Sequence, residues 1–113
     1  VAFAHADGIA ALRNAGTQIE ALSVIGGGSR STYWGQIIAA ALNVRLDYLD
    51  GGDVGPALGA ARLAQIAVTG ASVADVCTRP PLLTSVQPDA ALAARLAPKL
   101  ETFRAAYPAL KSI

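Results

Sequence analysis

Val24-Ile25-Gly26-Gly27-Gly28-Ser29-Arg30-Ser31 runs from apolar residues through three consecutive glycines into small polar ones. Glycine inside a regular element costs stability, because it has the most backbone freedom to lose. A triple glycine therefore marks a sharp turn, or a place where something approaches the backbone closely. The flanks give it a setting. Ile19 to Ile25 is a short apolar run that stops at the glycines, as a buried strand does. Downstream, Trp34, Ile37, Ile38, Ala41 and Leu42 recur at the spacing of one helix face. Ser29 or Ser31 can cap the start of that helix, and Asn43 can help end it.

The same order then repeats. Val44 to Tyr48 alternate apolar and polar, which predicts a second strand. Asp50 to Gly55 form a second glycine-rich loop. Pro56 stands where a helix's first turn tolerates its missing N–H, and GPALGAARLAQIAV carries that helix to Gly70. Asp53 suits the cap of this helix. Two short strand-to-helix turns predict an α/β layer with parallel strands. Two strands make a poor sheet with open edges, so further strands are expected from chain outside this one or from another copy.

The flanking segments are helical or irregular by pattern. Residues 1–15 read as a helix with Phe3, Ile9 and Leu12 on one side and Gly16 as its stop. A helical turn fits Val73–Cys77. Thr78 to Pro88 reads as a Pro-bearing connector. From Asp89 onward Leu92, Leu96, Leu100, Phe103 and Tyr107 sit at helical spacing, with Pro98 predicted to kink or split the helix. Residues 1–77 thus form the α/β core segment, and 78–113 the connector and helical tail.

The 113 residues suffice for one modest domain. The chain begins at Val1 and contains no Met, which leads us to expect an excised piece of a longer product. Apolar residues make up 53% and charged residues 15%, a globular composition. Much of the apolar share is alanine, so closely approached packing faces are expected. The net charge is +1, the arginines are scattered, and Lys99 and Lys111 lie near the end. No basic patch is concentrated, so neither nucleic acid nor an anionic membrane is expected as a partner. No apolar run approaches the roughly 20 residues of a membrane span, and the start lacks a signal-peptide plan. The lone Cys77 can form neither an internal disulfide nor a Cys-rich metal site. It reads as a small buried apolar group, and a reducing, cytoplasmic setting fits.

A glycine turn at a helix N-terminus suits an anion or a nucleotide. Backbone N–H groups point outward, the helix dipole favours negative charge, and no side chain blocks the way. Other motifs fail. No lysine follows a glycine, as a P-loop requires. Ser31 stands where a dinucleotide fingerprint or a nucleophile elbow centred on Ser29 needs glycine. His5, the single histidine, reads as an ordinary helix residue. Asp47, Asp50 and Asp53 cluster around the second loop and read as turn and cap residues rather than metal ligands. Zinc and EF-hand spacings are absent.

Two stretches carry a resemblance. GGGSRSTYWGQIIAAALNV resembles the adenosine-side motif of FGGY-family carbohydrate kinases, members of the actin/hexokinase/heat-shock ATPase superfamily. GGDVGPALGAARLAQIA resembles the family segment that follows, and PDAALAARLAPKLETFRAAYPAL its end. The resemblance covers nearly the whole chain, most tightly Val24 to Ala67. It implies an α/β fold: a partial RNase H-like domain, the C-terminal part of the nucleotide-binding second domain of a two-domain kinase, with a helical tail. It implies that Gly26, Gly27 and Gly28 approach the nucleotide and that Ser29, Arg30 and Ser31 open the helix beside the adenosine. The second loop and the GPALGAAR helix would support that site. Ala40 stands where the family often has Asp, which removes a polar contact from the helix face.

The implied partners are ATP or ADP with Mg²⁺, and a sugar held by the rest of the parent chain. The implied reaction moves the γ-phosphoryl of ATP to a sugar hydroxyl. The resemblance implies that the family's catalytic Asp, its phosphate-binding segment and most sugar contacts lie upstream of Val1. No catalytic residue and no metal ligand is therefore assigned here, and the piece alone is expected to be inactive. Which sugar or polyol is used stays open, as does a homodimer. So do two other readings: a non-catalytic nucleotide-binding or assembly module, and a structural α/β domain without a ligand.

Overall fold

The computed structural model describes residues 1–111. Helix α1 (Ala2–Asn14) leads to strand β1 (Ala21–Val24), a 3₁₀ turn over Gly27–Arg30, and helix α2 (Thr32–Leu42). Strand β2 (Arg45–Leu49), a second 3₁₀ turn over Gly52–Val54, helix α3 (Gly55–Thr69) and the short helix α4 (Val73–Val76) follow. Strand β3 (Leu82–Val86) and helix α5 (Ala90–Leu110) complete the order.

The strands form one sheet in the order β1-β2-β3. As the two strand-to-helix turns predict, β1 and β2 are parallel, with Leu22 opposite Leu46 and Val24 opposite Tyr48. β3 lies antiparallel on the other edge of β2, with Asp47 opposite Ser85. The pattern of Pro80, Pro81 and Pro88 predicts a connector here. Those prolines bound the strand instead, and Asp50 N–H donates to Pro81 O at 2.9 Å to fasten its entry.

Leu46 and Tyr48 pack against Ala39, with Leu22, Val24, Ile38 and Val86 around them. Ala6, Ile9, Leu42 and Val44 form a second cluster, joined by Ile19 and Leu100. α2 is thus the spine between the sheet and the outer helices. Its ends form as predicted: Trp34 N–H donates to Ser31 Oγ at 3.2 Å, and Asn43 closes the helix at φ 49°. Its buried stripe is rotated from the expected one, however. Gly35, Ala39, Ala40 and Leu42 are buried, while Trp34, Ile37 and Ile38 are only half-buried flanks. The reason is distance, since only small residues let a helix lie this close to a sheet. A Cβ on Gly35 would overlap the Tyr48 hydroxyl.

Other expectations shift with packing. α1 buries Ala2, Ala6 and Ile9, whereas Leu12 is 49% exposed. α5 continues through Pro98 without a break. Its surface is mostly exposed around that point, so the carbonyl deprived of its helical donor can turn to water. Cys77 is exposed rather than buried, because α4 ends where nothing covers it. α3 has no buried residue at all, and Leu63 and Val68 face outward.

The Gly35–Tyr48 contact yields a test. Gly35→Ala should destabilise the protein by about 1–3 kcal/mol through overpacking. Tyr48→Phe should be near neutral or stabilising, because the hydroxyl is buried without a hydrogen-bond partner. In urea unfolding, Tyr48→Phe should recover most of the Gly35→Ala loss; equal losses in both backgrounds would refute the contact.

Candidate functional site

The turn after β1 begins at Gly26, whose φ of 84° and ψ of −178° only glycine adopts readily. Its N–H donates to Gly52 O at 2.8 Å, and its carbonyl accepts from Ser29 N–H at 3.0 Å. This swings the chain into the 3₁₀ turn. Ser29 and Arg30 therefore do not open α2, as the family resemblance implies they would. They belong to the separate turn, and Ser31 alone caps the helix.

Gly27 and Gly28 are different. Neither has a positive φ. A Cβ on Gly27 would meet nothing within 4 Å, and one on Gly28 would make only ordinary contact with Trp34 Cδ1 at 3.7 Å. The fold itself does not require glycine at either position. Both stand at the head of the turn, where helical N–H donors have no internal partner. A bare, donor-rich surface next to the N-terminus of α2 is suited to a ligand that carries negative charge.

The second loop packs against the first. A Cβ on Gly52 would lie 3.0 Å from Val24 O, so this glycine serves close approach of backbone to backbone. Arg30 reaches across, and its guanidinium donates to Asp53 Oδ2 at 3.1 Å. Asp53 was expected to cap α3. It does not: α3 starts without a side-chain cap, with Pro56 in its first turn. The long-range partner Arg30 has taken the carboxylate. A pocket of about 260 Å³ lies at this junction, lined by Ser29, Arg30, Tyr48, Gly52 and Asp53 among others. A larger groove of about 520 Å³ runs from Gly28 and Trp34 past Leu22 to Ile9 and the exposed His5.

Asp47 is drawn away from this loop. Alternation placed it on a polar face, yet it is only 3% exposed. Ser85 Oγ donates to it at 2.7 Å, and Arg45 donates twice, at 3.0 and 3.2 Å. Arg79 stands 4.0 Å away. The Ser85 hydroxyl and the Arg45 guanidinium hold its carboxyl below the usual value of 3.8, against the opposing effect of burial. Asp47 thus fastens β3 to β2. Among the described residues, no three or more His, Cys, Asp or Glu side chains converge to hold a metal ion. Ala40 is buried in the helix packing, so an acid there would lose its water. No helix among the described residues is long and apolar enough to cross a membrane.

Residues 1–68 match the family model for the FGGY family of carbohydrate kinases, C-terminal domain. The chain is 46% identical over 108 residues to a xylulose kinase of Escherichia coli K12, covering 95% of this chain and 22% of that protein. It is 41% identical over 114 residues to a xylulose kinase of Klebsiella pneumoniae, covering all of this chain and 23% of that one. A crystal structure described as a xyloylose kinase from Brucella ovis superposes with a TM-score of 0.79 at 46% identity, over 98% of this chain and 23% of that one. The chain spans less than a quarter of the length of these relatives.

The depressed pKa of Asp47 fixes a pH dependence. A carboxyl with a folded pKa below its unfolded one stabilises the fold above the unfolded value and loses that contribution as pH falls through the folded one. Stability should therefore decline below about pH 3.8, and Asp47→Asn should flatten that part of the curve while lowering stability at pH 7. Urea midpoints measured from pH 2 to 7 check this; parallel curves would remove Asp47 from the account.

Proposed function

The chain belongs to the FGGY family of carbohydrate kinases, and on that premise we propose that it is the C-terminal part of the nucleotide-binding domain of an ATP-dependent xylulose kinase. The parent enzyme would convert ATP and D-xylulose to ADP and D-xylulose 5-phosphate. Two xylulose kinases at 46% and 41% identity support the choice of sugar. So does the GGDVGPALGAAR segment, which resembles the form in bacterial members of that group.

This chain's share is the adenosine side of the ATP site: Gly26, Gly27, Gly28, Ser29, Arg30 and Ser31. The observation that carries this reading is the room at Gly27 and Gly28. Neither backbone conformation nor internal packing calls for glycine there, so an external group that approaches the backbone accounts for them. Gly26 sets the direction of the turn. Ser31 Oγ accepts from Trp34 N–H and keeps its own proton free to donate. When bound, ATP would supply the phosphoryl group, and Mg²⁺ would help to neutralise its charge. No residue of this chain is assigned to the ion.

The catalytic base and the sugar contacts belong to the rest of the parent chain, and the chain alone is inactive on this reading. The bare outer face of α3 fits a segment covered by more chain. The partners are ATP or ADP and the sugar, in a cytoplasmic setting.

Gly27→Val in the full-length kinase tests the assignment. A Cβ at this position meets nothing within 4 Å, so the thermal midpoint and the KM for D-xylulose should hold. The KM for ATP should rise about tenfold or more, a loss near 1.4 kcal/mol. An unchanged KM for ATP would refute the adenosine site, and a preference for another sugar over D-xylulose would refute the substrate.

A further inference from the structure

We infer that Asp53 is a positioning residue of the nucleotide site: through Arg30 it holds the glycine turn against the second loop in the shape that receives the ligand. This rests on the adenosine-side reading of Gly26 to Ser31. Arg30 and Asp53 are 23 residues apart and meet at 3.1 Å. The carboxylate has no competing local duty, since α3 has no side-chain cap.

The turn needs such a tie. Its first half is three glycines, which are free to move and have no side chains to anchor them. One anchor is the Gly26 N–H bond to Gly52 O at 2.8 Å, which fixes the start of the turn. Arg30 supplies the second, at its end, and reaches the same loop one residue further on. With both ends held to one partner, Gly27 and Gly28 present their donors from a fixed frame. The ordering cost is then met before the ligand arrives, which raises affinity without any new contact.

The exposure of the pair says where its effect falls. The side chains of Arg30 and Asp53 are 72% and 39% exposed. Such pairs contribute little to global stability, so their loss should appear in nucleotide binding rather than in unfolding.

The test is a double-mutant cycle in the full-length kinase. Asp53→Asn should raise the KM for ATP about threefold to fivefold, with kcat, the KM for D-xylulose and the thermal midpoint nearly unchanged. Asp53→Asn should add nothing in an Arg30→Gln background, and its effect should shrink at high salt, where the pair is screened. Asp53→Glu, which keeps the charge, should retain most of the affinity. An unchanged KM for ATP, multiplying effects of the two substitutions, or a loss spread equally over stability and both substrates would overturn the inference. Gly27→Val run beside them separates the failures. If it raises the KM for ATP while Asp53→Asn does not, only the tie is refuted. If neither does, the adenosine reading itself has failed.

Discussion

The structure depends on how closely α2 lies on the sheet. Gly35 and Ala39 face Tyr48 and Leu46 across a contact that has no room for a Cβ at position 35. Because this helix is the spine, its depth sets everything attached to it. Ser31 and the glycine turn come to rest at the C-terminal end of β1. Leu42 and Val44 are placed to receive α1, and the β2 entry is brought into register with β1. An open α/β sheet presents ligand sites outside the carboxyl ends of its strands, and both glycine loops lie there.

The glycines of the two loops do not all answer to the same physical demand. Gly26 is glycine for its backbone angle, and Gly52 for the approach of Val24 O. Gly27 and Gly28 answer to neither demand. Within the first loop the contrast lies between three consecutive residues. The two loops are also joined twice. Gly52 accepts from Gly26, and its neighbour Asp53 accepts from Arg30, so the chain is clamped on both sides of the two unexplained glycines.

Charge is used in two ways in this chain. Asp47 is buried, with three hydrogen bonds, and it is part of the sheet. Asp53 lies at the surface with one. Both stood in the same acidic cluster of the sequence. Their different duties follow from the neighbours that folding supplies. β3 delivers Ser85 to Asp47, and the first glycine turn delivers Arg30 to Asp53.

The sequence by itself determined what local interactions decide: the strand–turn–helix order, a serine cap for α2 at Ser29 or Ser31, the Asn43 and Gly70 ends, Pro56 in the first turn of α3, and the glycine motif that marks the family. Each rests on residues within a turn or two of one another, where backbone geometry and capping chemistry suffice. Only the tertiary structure decided that Leu82–Val86 is a strand and that small residues rather than Trp34 and Ile37 line the α2 seam. It alone decided that Asp47 is buried, that Cys77 is exposed, and that Asp53 holds Arg30 instead of capping α3. The partners in these cases are remote, 38 residues apart for Asp47 and Ser85 and 23 for Arg30 and Asp53. A spacing rule carries no information about which distant segment will arrive, because burial and pairing are properties of the assembled layers.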